Sequence, residues 1–354
     1  MSFPQDTIVK KLTTVLKSIM QNQPLRKLSS LTLPWPADWG ALFGESRPLI
    51  LEIGFGYGHF LEHLSKQNPE ANLVGIEISN ECLMKVENAI PRKGLNNVRV
   101  IYSRAETALH HLFEPETISQ IHINFPDPWF KIRHVGRRLM QRDTLDAMVN
   151  RLSPSGMLYL ATDILDYAEM SAELLAATPG LSNTLATPWE NAMPGRVITK
   201  YERKAQIAGR ACYYFAYQRN DTPAPFIPVT KELDMPHIVL KTLLTPDEIT
   251  ARFSESEQTQ NDTSIHFLYA YRGVKTVLFE AYIREPTIDQ RLALVLVERE
   301  EHPGEYTLKL SSLGNPRPTD GVHQAVGLLA NWVVGLHPDA AILQSKVRIF
   351  TESA

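Results

Sequence analysis

Two stretches of this chain bring reactive residue types together at short spacing. The first is Glu52-Ile53-Gly54-Phe55-Gly56-Tyr57-Gly58. Glycine at every second position lets the backbone turn sharply and lets a ligand approach closely, because no Cβ stands in the way. A dinucleotide fingerprint needs its third glycine one place later, where this chain has His59, and no Lys-Ser/Thr pair follows to cradle phosphates. The turn therefore suits a nucleoside ligand that needs no phosphate cradle. Glu77 follows it by about 20 residues, the offset at which an acid meets ribose hydroxyls. A carboxylate accepts two hydrogen bonds from a vicinal diol, which explains the residue type.

The second stretch runs Asn124-Phe125-Pro126-Asp127-Pro128-Trp129-Phe130-Lys131-Ile132-Arg133-His134-Val135-Gly136-Arg137-Arg138-Leu139. Two prolines fix φ and remove two backbone donors, giving a stiff turn that aims Asp127 and Trp129 outward. Trp129 offers a face on which an unpaired base stacks. Lys131, Arg133, Arg137, Arg138 and Arg142 form a basic cluster with His134, and Asp127 is the only acid between Phe125 and Arg142. This is the footprint of a phosphate backbone beside a base pocket. Neutralising about five phosphates of a single strand gives a log–log salt slope near −3.5. A solvated helix start over a buried tryptophan is the plainer alternative. Position favours the first reading: a ligand held by the glycine turn needs its reaction partner here.

The elements around these stretches alternate. Short apolar runs at Leu49–Ile53, Leu73–Ile78, Val98–Tyr102, Ile118–Phe125, Gly156–Ala161 and Ala211–Gln218 read as strands. Helical patterns fall at Phe60–Leu64, Glu81–Ala89, Arg137–Leu152 and Ile164–Ala177. Strands spaced by helices imply a parallel sheet covered on both faces, with ligands beyond the carboxyl ends of its strands. Asn220–Pro228, with three prolines in nine residues, reads as a linker. Beyond it, strand patterns at Ile265–Tyr271, Lys275–Ile283, Leu292–Glu298 and Tyr306–Leu310, with helices at Pro246–Phe253 and Val322–Leu336, describe an antiparallel α+β module. Arg272-Gly273 reads as its hairpin turn. The expected division is a first domain over 1–220 with a helical extension over about 1–47, a linker over 221–228 and an accessory domain over 229–354.

Composition narrows the class. Charge is unevenly spread: residues 1–220 carry 24 Lys and Arg against 21 Asp and Glu, and the remainder 12 against 18. A polyanion therefore belongs on the first part. Phe3–Gln21 has helical apolar spacing interrupted by Lys10, Lys11 and Lys17, so it reads as a surface helix and not a secretory signal. No apolar run is long enough to span a membrane, and the cytoplasm is the expected location. Two cysteines, Cys82 and Cys212, make neither a disulfide framework nor a zinc cluster. His110-His111 is no metal pair, because adjacent helical residues point apart; no metal is expected. Met84, Met140, Met148 and Met170 are expected in the core.

Residues from about 30 to 220 resemble the bacterial tRNA (guanine-N7-)-methyltransferases. Phe125–Leu139 is similar to their F-P-D-P-W-x-K-x-R-H-x-x-R-R-L stretch, and Glu52–Gly58 to their E-I-G-F-G-x-G. Thr162-Asp163 with Tyr167 and Met170, and Thr199–Lys204 with Gly209 behind it, resemble two further motifs in the family's order. The resemblance implies a Rossmann-like class I fold, S-adenosylmethionine as cofactor and guanine 46 of the tRNA variable loop as substrate. By matching position it implies cofactor binding by Glu52, Gly54, Gly56, Gly58, Glu77, Arg104 and Asp127, with Asp127 the carboxylate of the catalytic site. It implies substrate contacts from Lys131, Asp163, Thr199, Tyr201 and Glu202, and RNA backbone contacts from Arg133, His134, Arg137 and Arg138. One departure stands out. Where the family has Asp or Asn before Ala, this chain has Ser103-Arg104-Ala105-Glu106, and a guanidinium accepts no hydrogen bond from adenine.

Guanine N7 has a lone pair and no proton, so its methylation needs positioning and electrostatics more than a general base. Asp127 and Asp163 both suit the developing positive charge, and only the resemblance ranks them. Methyl transfer to a small molecule or protein is the first rival, opposed by the Lys131–Arg142 cluster. A non-catalytic RNA-binding relative is the second, favoured only by Arg104. Nicotinamide chemistry is a distant third, given His59. The accessory module shows no catalytic constellation, and nothing in the sequence speaks to oligomeric state.

Overall fold

The computed structural model describes residues 27–129 and 138–348. The expected N-terminal helix over Phe3–Gln21 lies outside the described residues, as do Lys131, Arg133, His134 and Arg137. The chain divides into two compact units between Thr230 and Lys231.

The first unit runs β1 (Lys27–Ser29), α1 (Trp39–Phe43), β2 (Leu49–Ile53), α2 (His59–Gln67), β3 (Asn72–Glu77), α3 (Asn80–Arg92), β4 (Val98–Tyr102), α4 (Ala105–His111) and β5 (Ile118–Asn124). It continues through α5 (Arg142–Arg151), β6 (Leu152–Thr162), α6 (Leu165–Ala176), β7 (Leu181–Asn183), α7 (Lys200–Ile207) and β8 (Tyr213–Arg219). The strands form one sheet in the order β1–β4–β3–β2–β5–β6–β8–β7. All five residues of β2 are buried, as a strand covered on both faces requires.

The sheet is parallel from β1 to β6, but the last long strand is not. β8 runs antiparallel to β6, with Tyr213 opposite Thr162 and Gln218 opposite Met157. The wholly parallel expectation fails here for a topological reason. The chain passes through α7 at the carboxyl end of β6, so β8 starts at that end and runs back. β2 leads outward to β3 and β4 on one side and has β5 and β6 on the other. The crevice at the carboxyl ends of β2 and β5 is therefore the topological switch point, where open α/β sheets bind ligands.

The proline-rich stretch after Asn220 has no regular secondary structure. Its carbonyls are bonded to the first unit: Asn150 Nδ2 donates to Pro225 O at 2.7 Å and Arg151 donates to Ile227 O at 2.8 Å.

The second unit is a seven-stranded antiparallel sheet. It comprises β9 (His237–Lys241), β10 (Ser256–Gln260), β11 (Thr263–Arg272), β12 (Thr276–Arg284), β13 (Asp289–Arg299), β14 (His302–Leu310) and β15 (Ala341–Lys346), ordered β10–β11–β12–β13–β14–β9–β15. Strict alternation along β12 buries Val277, Phe279, Ala281 and Ile283. They pack with Val322, Val326, Leu329 and Val333 of α9 (Asp320–Gly335), and α8 (Pro246–Arg252) adds Ile249. The β11–β12 hairpin closes at Gly273, whose N–H donates to Thr276 O at 2.8 Å. Among the described residues, no helix is long and apolar enough to cross a membrane.

Candidate functional site

The glycine turn occupies the switch point. Gly54, Gly56 and Gly58 have φ of 73°, 54° and 74°, which explains their spacing, since other residues visit this region at a cost. A Cβ on Gly58 would lie 2.5 Å from Val86 Cγ2, so α3 packs against bare backbone there. Glu77 ties the turn to β3. One carboxylate oxygen accepts from Gly56 N at 3.0 Å, and the other accepts from Ile78 N at 2.8 Å and Ser79 N at 2.9 Å. A carboxylate has about four acceptor positions, so room remains for a hydroxyl.

Glu52 lies beneath this turn and is only 1% exposed. Its Oε1 accepts from Asn124 Nδ2 at 3.1 Å, while Oε2 is buried with no hydrogen-bond partner. Burial pushes its carboxyl up to about 8, against the smaller opposing effects of Asn124 and Arg196. A buried acceptor without a donor is costly unless a ligand completes it. S-adenosylmethionine fits this cradle: it has cationic groups for Glu52, a ribose diol for Glu77 and no phosphate, and the turn has no Cβ to obstruct it.

The Phe125–Trp129 turn follows β5 directly. Phe125 N donates to Ala161 O at 2.8 Å, extending the β5–β6 pairing one step beyond the strand. Phe125 and Trp129 both have positive φ, 51° and 41°, so the stiffness supplied by Pro126 and Pro128 is accompanied by two strained neighbours. Asp127 is exposed between them. Arg138, expected on the RNA backbone, braces this turn: its Nε donates to Pro128 O at 3.0 Å. Arg142 also departs from expectation. Its guanidinium bonds to Thr178 Oγ1 at 3.0 Å and Leu174 O at 3.3 Å and faces Asp146 at 3.4 Å, so it locks α5 to α6.

The segment from Thr199 to Glu202 is the start of α7, and its residues divide by role. Thr199 and Glu202, expected against RNA, are buried and form a capping box. Glu202 N donates to Thr199 Oγ1 at 3.1 Å, and Thr199 N to Glu202 Oε2 at 3.2 Å. Tyr214 OH donates to Glu202 Oε1 at 2.7 Å. The cap satisfies the free N–H groups of the helix and leaves both side chains occupied. Tyr201 is the residue turned outward, 51% exposed. Its Cε2 lies 3.9 Å from where a Cβ on Gly56 would be. Its phenol pKa is raised, first by burial and then by the charges of Asp127 and Glu77 among others. Tyr201 thus stands beside the glycine turn, within reach of the charges of Glu77 and Asp127. Lys200 and Lys85 each set Nζ 4.1 Å from the Tyr57 ring centroid at its rim. Asp163 is bonded by Arg210 at 2.7 Å.

Arg104 sits at the N-cap of α4, half-exposed and 3.4 Å from Glu106, so those two residues compensate each other. Met84 is 55% exposed on α3, unlike the buried Met140 and Met148, because its helix turns that face to solvent. His111 is a core residue, its ring 3.9 Å from that of Trp35. Among the described residues, no His, Cys, Asp and Glu cluster could hold a metal.

Asn124 went unassigned in the sequence, and Arg196 counted there only among the cations beside Thr199–Glu202 that favour substrate contact. Arg196 donates to Asn124 Oδ1 at 2.7 Å, and its guanidinium lies 4.5 Å from the Phe60 ring and 5.2 Å from that of Tyr214. The only available signal was position: Asn124 ends a strand, and Arg196 stands three residues before the cap.

A family model described as "Putative methyltransferase" matches residues 46–215. The chain is 37% identical over 188 residues to the tRNA (guanine-N(7)-)-methyltransferase of Burkholderia vietnamiensis, covering 53% of this chain and 72% of that one. Identity to the enzyme of the same name from Syntrophotalea carbinolica is 35%, over 55% and 86% of the two chains. Identity to that of Thermus thermophilus is 32% over 298 residues, 84% and 92% of the two chains. An alignment of that length runs into the second unit, so the likeness to the Thermus protein includes it. Among solved structures, a 16S rRNA methyltransferase, KamB, matches 55% of this chain and 99% of its own at 16% identity and TM-score 0.42.

Proposed function

This chain belongs to the tRNA (guanine-N(7)-)-methyltransferase family, and on that premise we propose that it transfers a methyl group from S-adenosylmethionine to N7 of a guanine in tRNA. Guanine 46 of the variable loop is the finer reading, supported by the motif resemblance. The observation that carries the proposal is the glycine turn, bonded to Glu77 and flanked by Tyr201, above the buried, half-satisfied Glu52.

When bound, S-adenosylmethionine supplies an electrophilic methyl on a sulfonium. The residues of this chain do the positioning. Glu52 and Glu77 hold the cofactor, and the three glycines let it lie against the backbone. Asp127, exposed at the end of β5, accepts from the guanine edge and offsets the positive charge that N7 acquires. No proton leaves N7, so the site needs no general base. Trp129 and Tyr201 supply faces for the base, and Lys200 supplies charge beside Tyr57, while Lys85 is paired with Glu81. Thr199, Glu202 and Arg138 act one step back: they fix α7 and the Phe125–Trp129 turn.

The test is direct. Unmodified tRNA is incubated with the full chain and methyl-labelled cofactor, then digested to nucleosides. Label in 7-methylguanosine supports the proposal. Label in another nucleoside, or none with cofactor bound, refutes it.

A further inference from the structure

The second carboxylate oxygen of Glu52 is not the only orphan beneath the glycine turn. Arg196 Nε is also buried without a hydrogen-bond partner, although its terminal nitrogen donates to Asn124. The chain therefore sets a half-buried positive charge beneath the turn and connects it to a carboxylate through one amide: Arg196 to Asn124 Oδ1 at 2.7 Å, then Asn124 Nδ2 to Glu52 Oε1 at 3.1 Å. This order fixes the amide of Asn124, because its oxygen must face the guanidinium and its amino group the carboxylate. Packing against Phe60 and Tyr214 holds the guanidinium in that alignment.

The location of Arg196 gives the connection a further consequence. It lies in the segment entering α7, three residues before Thr199. The same α7 presents Lys200 and Tyr201, and Glu202 of its cap is bonded to Tyr214, one of the two rings that hold Arg196. Movement of the cap and movement of Arg196 are therefore mechanically joined.

We propose that Arg196 is a positioning residue for methyl transfer, holding the Glu52 carboxylate in place for the cofactor through Asn124 and linking that hold to the RNA-facing start of α7. This inference rests on Glu52 being a cofactor ligand. Arg196 is not itself a catalytic residue, since it reaches the cofactor only through two other side chains. Its charge matters because the remaining groups around Glu52 do not help. Glu77 is a like charge, and His122, on the neighbouring strand, is held neutral by burial, its pKa lowered to about 3.

The experiment measures the affinity of the full chain for S-adenosylmethionine by calorimetry from about pH 6 to about pH 10, for wild type, Arg196→Met, Arg196→Lys and Arg196→Gln. Wild-type affinity should rise with pH with its midpoint at about 8, as Glu52 loses its proton, and level off above that. Arg196→Met should weaken binding about tenfold at pH 7 by moving that midpoint up by about one unit. Arg196→Lys, which keeps the charge, should recover most of the midpoint. A merely structural role would lower affinity without moving the midpoint and would gain nothing from lysine. A folded Arg196→Met with the wild-type midpoint overturns the proposal. Should that variant not fold, Arg196→Gln decides, since it keeps a polar side chain and the Asn124–Glu52 hydrogen bond and removes only the charge: a raised midpoint supports the proposal and a wild-type midpoint overturns it. Failure of the wild type to bind cofactor at any pH would instead refute the assignment of the cofactor site.

Discussion

Two alanine substitutions in the glycine turn separate backbone strain from packing and from cofactor approach. At Gly58, φ is 74° and an added Cβ would meet Val86 Cγ2 at 2.5 Å. The left-handed backbone costs a non-glycine residue about 1–2 kcal/mol. The overlap forces a β-branched side chain within α3 to move, which costs about 1–3 kcal/mol. Gly58→Ala should therefore destabilise the first unit by about 2–5 kcal/mol, or roughly 4–20 °C in Tm for a unit of this size. At Gly54, φ is 73° but nothing lies within 4 Å of the added methyl. Gly54→Ala should lose only the backbone component, about 1–2 kcal/mol. Its methyl enters the open space that the cofactor needs, so its affinity for S-adenosylmethionine should fall by about tenfold or more, equivalent to about 1.4 kcal/mol. Calorimetric unfolding and cofactor titration on both variants give the two readouts. Equal stability of Gly58→Ala and Gly54→Ala would refute the packing argument. Unimpaired cofactor binding by Gly54→Ala would refute the placement of the ligand over the turn.

Three further outcomes follow from the site. Burial raises the Glu52 pKa from 4.5 to about 8, so the folded state binds this proton more tightly than the unfolded state. Its contribution to stability is full below pH 4.5 and is lost as pH rises to about 8; Glu52→Gln should remove that slope in cofactor-free protein and also impair cofactor binding, which urea unfolding at pH 5 and pH 8.5 with a parallel titration would check. Thr199→Ala should cost about 1 kcal/mol through the lost cap and raise the KM for tRNA, while Thr199→Ser restores both. Arg142→Ala should destabilise the chain by about 1–2 kcal/mol and leave the salt dependence of tRNA binding unchanged, because its guanidinium is spent on Thr178 and Leu174.

Legibility in the sequence followed burial. β2 and β4 begin and end where their apolar runs do, since a strand covered on both faces has no room for a polar interruption except one with a purpose, such as Glu52. β1 and β7 are three residues each, too short for a period to show. α7 buries only Glu202 and Ala205, so hydrophobic spacing could not reveal it. The Thr-x-x-Glu spacing at 199–202 offered both a cap and a substrate contact, and the cations around it tipped the reading to the contact, whereas the two side chains form the cap. The same logic applies to the cations. Arg138, Arg142 and Arg196 look alike in a list of charges, but what each one bonds depends on long-range packing: Pro128 for the first, α6 for the second and Asn124 for the third. The placement of Glu52, Glu77 and Asp127 at one end of the sheet was legible because strand ends in such sheets converge on one crevice.

The central claim is that Asp127 stands beside the reacting guanine and acts on the transition state rather than on RNA capture. The direct measurement compares Asp127→Asn with wild type in single-turnover methyl transfer at saturating tRNA and cofactor, alongside tRNA affinity. Loss of one well-placed electrostatic contact costs about 10²–10³ in rate. The account predicts a loss of that order with tRNA affinity changed by less than about threefold, under 0.7 kcal/mol. Equal losses in rate and affinity, or an unchanged rate, would contradict it.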